Sequence, residues 1–212
     1  MRKWIPAVLI AATVVFSLAL YRRLPDPMPI HWDADGDVNG YGSRAFGAFL
    51  MPAIMLGLWG LLVTLPKLDP RSANIEKFRD TYDVFVIAVI AVMGVIQVGI
   101  VASALGWPVP IGRLAPISIG ALFVVLGNLL PRFHSNFFFG IRTPWTLSSE
   151  TVWTRTHRVG GAVMVLVGLL LIVAGLVGTP RWTYVAVGGG VAMTLVVLVY
   201  SYVIWRDEQN VS

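Results

Sequence analysis

FFFGIRTPWTLSSETVWTRTHRVGGAVMVLVGLLLIVAGLV, residues 137–177, holds the change of character on which the reading of the whole chain turns. From Gly160 to Val177 it is an unbroken apolar run close to the roughly 20 residues that cross a bilayer. The segment before it is different. It carries Arg142, Arg155, His157 and Arg158 together with Trp145 and Trp153. A membrane helix entered through a polar, aromatic connection is the simplest account of that boundary, and the rest of the chain repeats the pattern.

Working outward, further apolar stretches run over Trp4–Leu20, Ala45–Leu65, Val84–Leu105, Pro116–Leu130 and Trp182–Trp205, so the expected layout has six spans. The composition agrees: 57% of the 212 residues are hydrophobic and 13% charged, where soluble domains average about 45–50% and about 25%. The mean hydropathy is +0.76. The first stretch follows Arg2 and Lys3 as a secretory signal would, but its end, SLALYRRLPD, is a poor cleavage site, and it is read as a retained helix. There are no cysteines, which excludes disulfides, thiolate metal sites and thiol nucleophiles.

Six spans place both termini on one side. With that side cytoplasmic, Arg2, Lys3, Lys67, Arg71, Lys77, Arg79, Arg132, Arg142, Arg155, Arg158 and Arg206 lie inside. Arg22, Arg23, Arg44, Arg113 and Arg181 lie outside. The excess inside favours an N-in, C-in topology, and the charge of +5 is accounted for by topology rather than by nucleic acid. The fold expected is an all-α integral membrane protein with an ordered outer loop and a short amphipathic inner helix.

The outer loop, residues 21–44, places Pro25, Pro27 and Pro29 in an extended segment. Gly36, Gly40 and Gly42 then serve turns, with Asn39-Gly40 as a tight-turn pair. His31-Trp32 sits at the pivot as a candidate contact for an outside partner, and Trp32 also suits the headgroup level. Asp33, Asp35 and Asp37 invite a calcium reading. An EF-hand loop needs Gly at its sixth position and Glu at its twelfth, and those positions hold Val38 and Arg44.

The inner loop, residues 131–159, divides into a linker broken by Gly140 and Pro144 and a helix begun by Thr146 or Ser148, with Glu150 in its first turn. On that helix Trp153 and His157 are neighbours four residues apart. Val152, Trp153 and Thr156 form its less polar face, and Arg155 and Arg158 flank it. Gly160-Gly161 allows a close helix approach. The other inner loop, Pro66–Tyr82, reads as an ordinary hydrophilic connection.

GNLLPRFHSNFFFGIRTPWTLSSETVWTRTHRVGG, residues 127–161, resembles the signature of the SdpI-like bacterial membrane family of bacteriocin immunity proteins. The residues that carry the resemblance are Gly127, Asn128, Pro131, Asn136, the run Gly140 to Leu147, Val152, Trp153, Thr156, His157, Arg158, Gly160 and Gly161. The outer loop resembles the domain of unknown function that commonly precedes it, through Leu24, Pro25, Pro29, His31, Trp32, Gly36, Gly40 and Gly42. The resemblance implies a single multi-pass domain over residues 1–212 of the bacterial cytoplasmic membrane. Residues 1–66 form the first two helices with their outer loop, and residues 83–205 a four-helix part with the signature loop.

The function implied is resistance to a secreted, membrane-active peptide toxin, with capture of a cytoplasmic transcriptional repressor as a further step. Candidate outer contacts are His31, Trp32, Gly36 and Gly40. Candidate inner contacts, for a protein or for membrane lipids, are Asn128, Asn136, Arg142, Thr143, Pro144, Trp145, Trp153, Thr156, His157 and Arg158. No cofactor, metal or direct nucleic-acid contact is implied.

Two other classes compete. A transporter or lipid-handling protein needs polar residues along a path, and the spans supply only Gln97, Ser103, Ser118, Asn128 and Thr194, with Pro52, Gly57 and Gly60 as the one candidate helix break. An intramembrane enzyme lacks a Gly-x-Ser-x-Gly elbow, paired intramembrane aspartates or a zinc motif. Glu150 and His157 are two helical turns apart, a weak acid/base pair, so no enzyme is expected.

Overall fold

The computed structural model describes residues 4–33 and 35–210; Arg2 and Lys3, used in the charge argument, lie outside them. Six helices are long and apolar enough to cross a membrane, and the protein is a multi-pass membrane protein. The chain runs α1 (Ile5–Leu20), β1 (Met28–Trp32), β2 (Val38–Gly42), α2 (Arg44–Leu68), α3 (Ser72–Lys77), α4 (Arg79–Ala104), α5 (Ile111–Leu129), α6 (Pro144–Ser148), α7 (Glu150–Val177) and α8 (Pro180–Gln209).

Helices α1, α2 and α4 pack together as one half, α4 meets α5, and α5, α7 and α8 form the other half. The fourth span begins five residues before the expected Pro116, because a proline in the second turn of a helix interrupts few bonds.

Two prolines inside α2 would each leave a carbonyl without its helical donor, and inside a bilayer an unsatisfied group costs several kcal/mol. Pro52 frees the carbonyl of Ala48, and Pro66 that of Leu62. Helix α4 supplies both replacements. The Gln97 amide donates to Ala48 O at 3.0 Å and to Gly47 O at 3.1 Å, and the Tyr82 hydroxyl donates to Leu62 O. Helix α2 therefore runs unbroken, against the break considered at Pro52, and Gln97 is buried as a structural clamp.

The second half is built on close backbone contact. Gly120 and Gly127 on α5 face Gly168 and Gly161 on α7. A methyl group on Gly120 would sit 2.5 Å from Gly168 O, and one on Gly161 2.5 Å from Gly127 O. The seven-residue spacing keeps these glycines on one face of each antiparallel helix. Helix α7 becomes the most enclosed span, 39% buried, and α8 the least, 17%. α7 starts on Ser149, whose hydroxyl accepts from Val152 N at 3.2 Å, and stops at Gly178, whose φ of 73° suits glycine.

Candidate functional site

The polar residues gather at the two ends of the bundle. At one end the connection between α1 and α2 is a β-hairpin, where the sequence had suggested an extended segment and a turn at Asn39-Gly40. That pair lies in β2, and the turn is at Asp33–Asp37. The reason is local. The Asp33 carboxylate accepts from Asp35 N and Asp37 N, each at 3.0 Å, while Gly36 takes φ 87°. His31 pairs across the ladder with Gly40, and a methyl group at Gly40 would lie 2.8 Å from the His31 Cβ. His31 is exposed, with Nδ1 bonded to the Asn39 side-chain oxygen. Met28, fully buried under Gly47, fastens the hairpin to α2. Among the described residues no group of three His, Asp or Glu side chains converges on a common point.

At the other end, residues 131–149 fold back on the start of α7. Asn136 is fully buried and organises its own turn: its amide donates to His134 O and Phe139 O, and its carbonyl accepts from Phe138 N and Phe139 N. Gly140 follows at φ 102°, with its α-carbon so close to the His157 ring that no Cβ fits. This approach lets Ile141 N donate to His157 Nε2 at 3.0 Å. His157 Nδ1 lies 2.8 Å from Trp153 O and donates to it, so the neutral ring uses both nitrogens.

Trp153 stacks on that ring at 4.0 Å and donates from Nε1 to Phe133 O at 2.7 Å. Thr143 and Thr146 form a capping box that starts α6, with Pro144 in its first position. The Trp145 indole donates to Ser201 Oγ on α8.

The short amphipathic helix expected here is therefore two pieces. α6 is five residues long, and the Trp153–His157 segment is the first turns of the α7 span, capped by Ser149 rather than Thr146 or Ser148. Trp153, Thr156 and His157 are buried, and the Thr156 hydroxyl has no hydrogen-bond partner among the described residues. Arg142, Arg155 and Arg158 stay exposed on the outside of this lock, with Arg142 donating to Phe137 O. Asn128 stands apart, exposed on α5 and donating to Val124 O of its own helix.

The connection Pro66–Tyr82 is not the ordinary loop expected. The buried Asp69 accepts from Phe137 N at 2.9 Å and Arg71 N at 2.7 Å. Arg71 donates to Ser135 Oγ and Leu147 O and lies 4.9 Å from the Phe137 ring centre. Asn74 donates to Ser135 O at 2.9 Å. This clasp on the signature loop was missed because its only trace in sequence is the pairing of opposite charges around Pro70, a pattern that surface turns share.

Residues 132–201 match the SdpI/YfhL protein family, and residues 8–56 match a domain of unknown function, DUF1648. Over 169 residues the chain is 25% identical to Immunity protein SdpI of Bacillus subtilis (strain 168), a stretch covering 80% of this chain and 79% of that protein. No solved structure matches. These matches bear out the resemblance read from the signature and the outer loop. The first also takes in most of α8, and the second the spans on either side of the hairpin.

Proposed function

We propose, for a chain that stands with the SdpI-like membrane proteins, a role in immunity to a secreted membrane-active peptide and in signalling its arrival. The observation that carries this reading is the similarity to an immunity protein along 80% of the chain. In this account the N- and C-termini are cytoplasmic, the hairpin faces outward, and His31 and Trp32 meet the toxin at the outer leaflet. The exposed Arg142, Arg155 and Arg158 face the cytoplasm, where a basic surface suits an acidic segment of a repressor or anionic headgroups. The protein binds and signals without catalysing a reaction.

A toxin shifts such a device only through unequal affinity for two arrangements. The element with two states is the lock of Gly140 and Ile141 on His157, because opening it would free the Arg142 loop. The burial of Gln97 and Tyr82 against α2 carbonyls weighs against a polar transport path, since neither is left to face a substrate.

The test is survival and membrane potential of a toxin-sensitive bacterium that expresses the chain and is challenged with secreted peptide toxins of this kind. Protection that His31→Ala or Arg142→Ala removes at unchanged protein level is the expected result. A well-expressed, folded chain that gives no protection overturns the reading.

A further inference from the structure

Helix α7 packs against both α5 and α8, and the space left between those two is a groove of about 620 Å³. Its walls are apolar, with Ala115 and Ile119 from α5, Val163 and Val167 from α7, and Val191 and Leu198 from α8. Thr194 also lines it, but its hydroxyl donates back to Gly190 O at 2.9 Å. The groove reaches from Trp32 and Asp33 of the hairpin to Ile141 and Gly160 of the signature lock, so it runs along the membrane-spanning part of the bundle.

A second cavity of about 280 Å³ adjoins it at the hairpin end, and Trp32, Ile111, Gly112 and Thr183 line both. This one is polar. It contains Arg113, whose guanidinium lies beside Gly178 and has no hydrogen bond or ion pair to any described residue. It also contains Asp35, whose carboxylate is likewise unpaired. A cation and an anion on one small cavity, above a long apolar groove, complement a ligand with two opposite charges on one head and a hydrocarbon tail.

We propose that this groove holds an acyl chain of a zwitterionic phospholipid with a primary ammonium, its phosphate at Arg113 and its ammonium at Asp35. Size decides against a peptide helix as occupant. A 20-residue helix about 30 Å long and about 10 Å across displaces roughly 2,400 Å³, more than the whole empty volume of the groove, about 1580 Å³ with its open side included. The groove instead falls within the about 300–1,000 Å³ typical of small-ligand sites. The surrounding bilayer supplies such tails at high concentration, and an empty apolar groove within it would forfeit packing contacts along its walls.

The full chain, purified and delipidated, is exposed to vesicles of equal phosphatidylethanolamine and phosphatidylglycerol, and retained lipid is read by native mass spectrometry. The expected result is one phosphatidylethanolamine per chain. Ala115→Phe and Val191→Phe, which fill the groove from opposite walls, lower retention about tenfold, as a loss of about 1.4 kcal/mol does. Asp35→Asn retains the two lipids equally, and Arg113→Gln lowers retention of both; both positions are exposed.

Unchanged retention in a folded filled variant overturns the groove assignment. Equal retention of both lipids by the unaltered chain, an Asp35→Asn variant that keeps its preference, or an Arg113→Gln variant with undiminished retention overturns the headgroup assignment. A lipid-free dimer would show the groove to be occupied by a second copy instead. The readout is lipid retention alone, so its failure is distinct from failure of toxin protection.

Discussion

The hairpin and the signature loop are both polar interruptions of a membrane chain, and they use their polar residues in opposite ways. The hairpin is held by a strand ladder, the Asp33 turn and the buried Met28, which leaves His31 and Tyr41 outside. The signature loop is held by its own side chains: Asn136, Thr146, Trp153 and His157 are buried and spend their polar atoms on the loop backbone. A fixed order of residues can thus mean two things. In the hairpin it shapes a surface, and in the signature loop it closes a lock, with Arg142, Arg155 and Arg158 exposed on its outside.

The largest effect is expected at Gly140. Gly140→Val combines a left-handed backbone position with a side chain that the His157 ring excludes. The backbone strain alone costs about 1–3 kcal/mol, and the collision adds to it, so the variant should fail to accumulate in the membrane. Normal abundance and melting temperature for Gly140→Val would break the comparison outright.

His157→Ala comes next. It leaves the part-buried Ile141 N without an acceptor, a cost toward the lower end of about 1–3 kcal/mol, and removes the ring on which Trp153 stacks. The check is thermal unfolding in detergent, together with abundance in cells. Asp69→Ala should follow closely, since Phe137 N and Arg71 N both lose their acceptor. Its measurement sharpens the comparison, because it shows whether the clasp from the α2–α4 connection is part of the lock.

Gln97→Leu is expected to cost somewhat less. It orphans the Ala48 carbonyl beside Pro52, and interhelical hydrogen bonds inside membranes average about 0.6 kcal/mol. The smallest effect should be that of His31→Ala, with no measurable change in melting temperature, because His31 is exposed and the ladder does not depend on its ring. A large destabilisation there would mean that the hairpin, too, is held by its signature residues.

The six spans were legible because hydropathy over about 20 residues reports the bilayer directly. The β-hairpin was half legible. Its prolines and glycines marked an ordered, extended segment, but the Asn39-Gly40 pair pointed to the wrong turn, because the Asp33 carboxylate offered a better-satisfied one directly after Trp32. The cap of α7 lies one residue past Ser148 and three past Thr146, the two expected, since Thr146, Ser148 and Ser149 are equivalent by type and only the Thr143–Thr146 box decides between them.

The Gly120–Gly168 and Gly127–Gly161 contacts left a readable signal, glycines seven apart on two apolar helices, of which only the close approach at Gly160-Gly161 was read. The Asp69 and Arg71 clasp left almost none, because it joins residues more than sixty positions apart. Long-range pairing of this kind is a property of the packed bundle and has no local period.

The claim that the signature loop is an internal lock is tested most directly by amide hydrogen exchange of the full chain in nanodiscs, with and without His157→Ala. The account predicts slow exchange over residues 137–147 in the unaltered protein, and fast exchange there in the variant, with the hairpin at residues 28–42 unchanged. Equal, slow exchange of Ile141 in both proteins would show that His157 does not hold the loop, and the account of the signature as a lock would be wrong.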